Sequence, residues 1–162
     1  MKFETLAIHA GQGPDKTYGA VMTPIYQTST FAFKGVGQPG EFDYSRSGNP
    51  TRKALEDCLA ALEGGTRGFA FATGMAAEAT ALSLLGKGDH IIVHDDLYGG
   101  TYRLLTKVIA NHGVSIDFVN TRDLALLEKS IKPETKMIWL ETPTNPLMNL
   151  LDLAAISAVA RR

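Results

Sequence analysis

Phe71-Ala72-Thr73-Gly74-Met75-Ala76-Ala77 has the pattern of a strand turning tightly into a helix. Glycine lets a backbone approach a ligand closely, and the first free amides of a helix face whatever lies in front of them. Phosphate suits such a place, although a plain strand-to-helix turn has the same signature. The stretch is neither G-x-G-x-x-G nor a Walker loop with its lysine, which argues against a dinucleotide or nucleoside triphosphate. Tyr44-Ser45-Arg46-Ser47-Gly48-Asn49-Pro50-Thr51 sets a phenol and a guanidinium two residues apart. On an extended segment both project to one side. Arginine offers phosphate a planar fork and the phenol adds a neutral donor; an exposed polar loop before a helix is the alternative.

Two further clusters fall at expected strand ends. Asp95-Asp96-Leu97-Tyr98-Gly99-Gly100-Thr101 follows a short apolar run, and the C-terminal edge of an open α/β sheet is where ligands bind. Tyr98 before two glycines has the backbone freedom to lay its ring against a planar ligand, or else it packs on the surface at a capped helix start. Asp95 and Asp96 read as turn and cap residues, since no His or Glu completes a metal set. In Glu141-Thr142-Pro143-Thr144-Asn145-Pro146 the two prolines stiffen the loop and present Asn145 as a fixed amide, or simply form a stiff connection. Either X-Pro bond can be cis. His9, His90, His94 and His112 show no metal spacing and read as structural. Cys58 and Trp139 read as core.

The elements that position these residues follow from periodicity. Residues 1–50 are too rich in glycine and proline for a long regular element, yet too rich in Phe, Tyr and Ile for a disordered linker. Such an arm packs on a surface, and we expect that of a partner. Residues 51–162 alternate helices and strands. A helix runs from the cap Asn49 with Pro50 at its first position to a Gly64-Gly65 stop. Strands are expected at Phe69–Ala72, His90–Val93, Ser115–Val119 and Lys136–Leu140. Helices are expected at Met75–Leu85, Thr101–Asn111, Leu124–Ile131 and from the cap Asp152 through Arg161. This alternation predicts a parallel sheet of about four strands covered on both faces.

Composition narrows the partners. With 16 Lys+Arg against 17 Asp+Glu the net charge is −1, so nothing draws the chain electrostatically to nucleic acid or an anionic membrane. One cysteine leaves no internal disulfide and no Cys-rich zinc site. The opening Met1-Lys2-Phe3-Glu4-Thr5 has no apolar signal core. The longest uncharged run, residues 17–33, is broken by Gly19 and Pro24, so no membrane span is expected. A cytoplasmic location is the expectation.

Taken together and in order, the four clusters closely resemble the Cys/Met-metabolism family of pyridoxal-phosphate (PLP) enzymes. Leu6-Ala7-Ile8-His9-Ala10-Gly11 and Pro24-Ile25-Tyr26-Gln27-Thr28-Ser29-Thr30 fit that family as well. The resemblance covers essentially the whole chain. It implies an N-terminal arm followed by part of the PLP-binding α/β domain of fold-type I, the aspartate aminotransferase-like architecture. It implies that Tyr44 and Arg46 reach the cofactor phosphate of a neighbouring subunit and that Gly74 and Met75 bind the same phosphate by their helix start. Tyr98 would stack on the pyridine and assist proton transfer. Asn145 would lie near the cofactor 3-hydroxyl, and Glu141 would support the site. The substrates implied are amino acids: a homoserine ester, cysteine or cystathionine. The implied assembly is a homotetramer.

The resemblance also implies absences. Family members run to about four hundred residues, more than one further domain. The Asp that pairs with the pyridinium, the Ser/Thr-x-Thr-Lys stretch with the Schiff-base lysine and the substrate-carboxylate arginine are not found here. Lys53, Lys107 and Lys129 lie on expected helix faces and lack that context. The chain is therefore expected to be the N-terminal portion of a longer enzyme, inactive alone. Within the family, Gly99 stands where methionine γ-lyases tend to carry cysteine. Tyr98-Gly99-Gly100-Thr101-Tyr102-Arg103-Leu104 looks most like bacterial cystathionine γ-synthases and γ-lyases. We lean to the synthase, with the γ-lyase, O-acetylhomoserine sulfhydrylase and methionine γ-lyase behind it. A non-catalytic oligomerisation or phosphate-binding fragment is the reading from another class.

Overall fold

The computed structural model describes residues 1–162, which fall into two compact units, Met1–Phe71 and Ala72–Arg162. The division lies at Phe71 instead of the expected residue 50, because helix α2 (Pro50–Glu63) is tied into the arm. Thr51 Oγ1 donates to the Pro24 carbonyl at 3.0 Å and accepts from Tyr26 N at 2.9 Å. Asn49 Nδ2 donates to the Tyr26 carbonyl at 3.0 Å, and Arg52 Nη1 to that of Ser45 at 2.9 Å. Local chemistry sets the ends of α2: the Asn49 side chain accepts from Thr51 N, Pro50 opens the helix, and Gly64 closes it at φ 66°.

The arm holds one short helix, α1 (Phe3–His9), which packs on α2. Gly11 makes that approach possible. Its φ is 71°, and a Cβ there would stand 2.5 Å from the Ala54 carbonyl oxygen. Cys58 is buried, as its place on the apolar stripe of α2 predicts.

The second unit is built on a parallel sheet of β1 (His90–His94), β2 (Ser115–Val119) and β3 (Thr135–Trp139), in the order β2-β1-β3. β1 is central and buried along its length, as a strand covered on both faces must be. Its alternation separates two cores. Ile91 and Val93 pack with Leu82 of α3 (Gly74–Leu82) and Leu105 of α4 (Gly99–Lys107). Ile92 faces Leu127 of α5 (Leu124–Ser130) and Ile156 and Val159 of α6 (Leu153–Ala160). Trp139 packs against the first cluster.

Three expectations need correction. Phe69–Ala72 is not a strand, so the sheet has three strands and not four. The alternating phenylalanines favour an extended backbone, but a strand also needs a ladder partner, and none pairs with these residues. Helix α3 stops at Leu82, where Leu84 N and Leu85 N turn back to Ala81 and Leu82 in a tightened last turn. The helix expected through Asn111 breaks at Val108 (φ −119°) and resumes as one 3-10 turn, Ile109–His112, closed by Gly113 at φ 84°.

Below the sheet, His90 joins all three strands. Its Nδ1 lies 2.7 Å from Thr135 Oγ1 and its Nε2 3.2 Å from Asp117 Oδ2, which also accepts from Lys132 Nζ at 2.6 Å. The hydrogen bond from Lys132, its charge and His90 hold the Asp117 carboxyl below the ordinary value for aspartate. A lowered folded-state value means that Asp117 stabilises the fold above the unfolded carboxylate range and loses that contribution as pH falls through its folded value. We expect Asp117→Asn to cost at most about 1 kcal/mol near neutrality, since the pair is half exposed. The difference from wild type should vanish under acid; urea titrations at several pH values check both.

Candidate functional site

The C-terminal ends of adjacent strands β1 and β3 carry the loops 95–98 and 140–152, and α3 begins beside Tyr98. Thr73 caps α3: its side chain accepts from Ala76 N at 3.1 Å, and its carbonyl takes the Ala76 and Ala77 amides. The Gly74 and Met75 amides are left uncommitted at the positive end of the helix. Gly74 has no atom within 4 Å of the place where its Cβ would be, so the helix start is open.

Tyr98 is placed by two contacts. Its amide donates to Glu141 Oε2 at 2.7 Å, which fixes the backbone where α4 begins. Its ring folds back over Gly100: a Cβ at that glycine would stand 2.3 Å from Tyr98 Cε1, 2.9 Å from Cδ1 and 3.0 Å from Met75 Sδ. Tyr98, Met75 and the α3 start therefore share one small region, with the Tyr98 ring half exposed. Thr101 Oγ1 donates to Glu78 Oε2 at 2.7 Å and ties α4 to α3 behind it. An open helix start with uncommitted amides beside an accessible aromatic face fits a ligand that is both planar and phosphorylated.

Asn145 stands exposed on the loop 140–152, between cis peptide bonds at Thr142–Pro143 and Asn145–Pro146. In the first unit, Tyr44 and Arg46 come together differently from the sequence expectation. Residues 45–47 form a turn instead of an extended segment, with Ser47 N and Gly48 N returning to the Tyr44 carbonyl at 3.0 and 2.9 Å. The turn still brings the pair to one side, with the Arg46 guanidinium carbon 5.0 Å from the Tyr44 ring centre. Arg46 makes no salt bridge, so its charge is free for an anion.

Asp95 and Asp96 are not helix caps, as the sequence suggested. The cap position of α4 is Tyr98, without a side-chain cap bond. The Asp96 carboxylate turns instead to Thr144 and Asn149 in the loop after β3. Nothing in the local sequence marks this contact, because it joins residues about fifty positions apart. No group of three or more His, Cys, Asp or Glu side chains is arranged to hold a metal ion, and no helix is long and apolar enough to cross a membrane.

A three-stranded parallel sheet with a phosphate-suited helix start and a ring-presenting loop at its C-terminal edge is an arrangement suited to an α/β cofactor-binding domain. The chain belongs to the Cys/Met metabolism PLP-dependent enzyme family, whose pattern matches residues 4–162. A probable cystathionine gamma-synthase from Herpetosiphon aurantiacus is 54% identical over 159 residues, covering 98% of this chain and 50% of that protein. A cystathionine beta-lyase from Lactococcus lactis is also 54% identical, over 98% of this chain and 42% of its own length. The crystal structure of a cystathionine gamma-lyase from Lactobacillus plantarum complexed with L-serine superposes with a TM-score of 0.93 at 53% identity, over 99% of this chain and 42% of that one. This chain thus spans half or less of the length of these relatives. The similarity supports a fold-type I origin for the α/β unit. The presence of beta-lyases among the relatives widens the range of activities beyond those the motifs suggested.

Proposed function

We propose that the protein carrying this chain is a PLP-dependent trans-sulfuration enzyme, a cystathionine γ-synthase that replaces the γ-substituent of an O-acylhomoserine with cysteine. The observation that supports the cofactor most directly is the Tyr98 ring folded over Gly100 beside the uncommitted amides of α3, and the synthase reading is supported by the probable cystathionine gamma-synthase among the relatives. Those amides would bind the cofactor phosphate at the positive helix end. Tyr98 would cover the ring face and carry a proton at its hydroxyl, Asn145 would meet the 3-hydroxyl, and Glu141 holds Tyr98 in place. PLP supplies an electron sink for charge that develops at substrate carbons. The closeness in fold to a γ-lyase keeps γ-elimination as the second reading.

Tyr44 and Arg46 are assigned to the cofactor phosphate of a neighbouring subunit in a cytoplasmic homotetramer, supported by an Arg46 charge that no carboxylate neutralises. The lysine that would hold the cofactor is absent here in its expected context, so PLP should bind the 162-residue chain without a covalent link. Intact mass after PLP incubation and borohydride reduction checks this: no adduct on this chain, one pyridoxyl phosphate on the whole protein. The activity is tested by incubating the whole protein with O-acylhomoserine and cysteine, and separately with cystathionine. Cystathionine formation supports the synthase. Cysteine released from cystathionine would make it a γ-lyase, and homocysteine a β-lyase.

A further inference from the structure

We infer that Asp96 is a positioning residue, the hub of a clamp that orients the loop bearing Asn145 against the loop bearing Tyr98. The inference rests on the proposed cofactor site and adds a residue that none of the motifs assigns to it. Asp96 Oδ2 accepts from the Thr144 hydroxyl and from Asn149 Nδ2, the latter at 3.3 Å. With its proton committed to Asp96, Thr144 Oγ1 is free to accept from Asn149 N at 2.8 Å. The loop closes on itself through Thr144 N to the Asn149 carbonyl at 2.9 Å and Met148 N to the Thr144 carbonyl at 3.0 Å. Arg122 Nη1 donates to Asn149 Oδ1 at 3.2 Å, so the orientation of that amide is settled from both ends.

The exchange is reciprocal. The loop after β1 lends the Asp96 carboxylate to the loop after β3, and the loop after β3 lends the Glu141 carboxylate to the Tyr98 amide. Asn145 follows Thr144 directly, and Thr144 is fully buried. Met148 is the only residue other than glycine with a positive φ, 56°, so the loop takes a turn that its side chains do not favour by themselves. Outside bonds must hold that turn, and Asp96 collects them. No cation pairs with Asp96 directly; its charge is met by hydrogen bonds alone, with Arg122 one residue removed. Such an arrangement sets direction more than it adds stability.

The test uses the whole protein with PLP bound and compares Asp96→Ala and Thr144→Val with the conservative Asp96→Asn and Thr144→Ser. A misplacement of about 1 Å in a positioned group costs about 100-fold, and we expect a kcat loss of that order in the first pair with KM little changed. Their visible circular dichroism from bound PLP should weaken, and the conservative pair should recover both signals. Hydrogen exchange at the Thr144, Met148, Asn149 and Tyr98 amides should quicken in Asp96→Ala, a readout independent of cofactor. A lower melting temperature with wild-type kcat and dichroism would overturn the positioning role, as would unchanged exchange. If wild type itself shows no PLP signal, the cofactor reading fails, and with it the role of Asp96 toward Asn145; the exchange data then show whether the clamp exists without a cofactor to serve.

Discussion

Tyr98→Phe should keep PLP bound and lower kcat by two to four orders of magnitude, the usual range for removing a positioned proton-transfer group, about 10²–10⁴-fold. The ring remains after this change, so stacking and its place over Gly100 remain. Only the hydroxyl is lost, and with it the proton it would carry. Tyr98→Ala removes the ring as well and should weaken PLP affinity in addition. The two variants separate the roles: steady-state kinetics reports the hydroxyl, and PLP titration followed by visible circular dichroism reports the ring. The Tyr98 backbone is held by Glu141 at 2.7 Å whichever side chain it bears, so neither variant should disturb the loop itself. A Phe variant at the wild-type rate would remove Tyr98 from the chemistry and leave it a wall of the site.

Gly100→Ala should be nearly as damaging, and Gly99→Ala nearly silent, although the two glycines are adjacent in α4. At Gly100 the new methyl would sit 2.3 Å from Tyr98 Cε1 and 2.9 Å from Cδ1, distances that real Cβ atoms do not keep, and a tight 3.0 Å from Met75 Sδ. The ring must swing away, and it is the ring that the proposed site needs. At Gly99 the nearest atom is Arg103 Nη1 at 3.6 Å, an ordinary contact with the end of a flexible side chain. Both positions are helical, so alanine gains up to about 1 kcal/mol of helix propensity at either. The clash outweighs that gain only at Gly100. We expect a loss of PLP affinity of about 100-fold or more for Gly100→Ala, by analogy with the cost of a 1 Å displacement. PLP titration checks this, and equal behaviour of the two variants would show that the Tyr98 ring is not packed as described.

Much of the architecture was legible from residue order. The caps of α2 and α6 are side chains with a known preference: Asn49 and Asp152 each accept from an amide in the first turn. β2 occupies Ser115–Val119 as its residues predict, and the continuous burial of β1 follows from an unbroken Ile-Ile-Val. Two of the misreadings share a cause. Phe69–Ala72 has strand-like residues without a partner, and pairing is a property of two segments. Asp96 has the local look of a turn residue, and its partners lie in another loop.

What the sequence determined by itself was the list of local preferences: which residues cap, which turn, which alternate, and which carry phosphate-suited or planar chemistry. It placed Tyr98, Gly74 and Met75 at strand-to-helix junctions and Asn145 and Glu141 after a strand, because those positions depend on neighbours within a few residues. Only the tertiary structure decided that Gly100 is the hollow for the Tyr98 ring, that Glu141 holds the Tyr98 amide, and that Asp96 gathers Thr144 and Asn149. The last two join groups far apart in the chain, across the parallel pairing of β1 with β3. Parallel neighbours need a long crossover between them, so the contacts at their common edge are far apart in the chain and leave no local pattern.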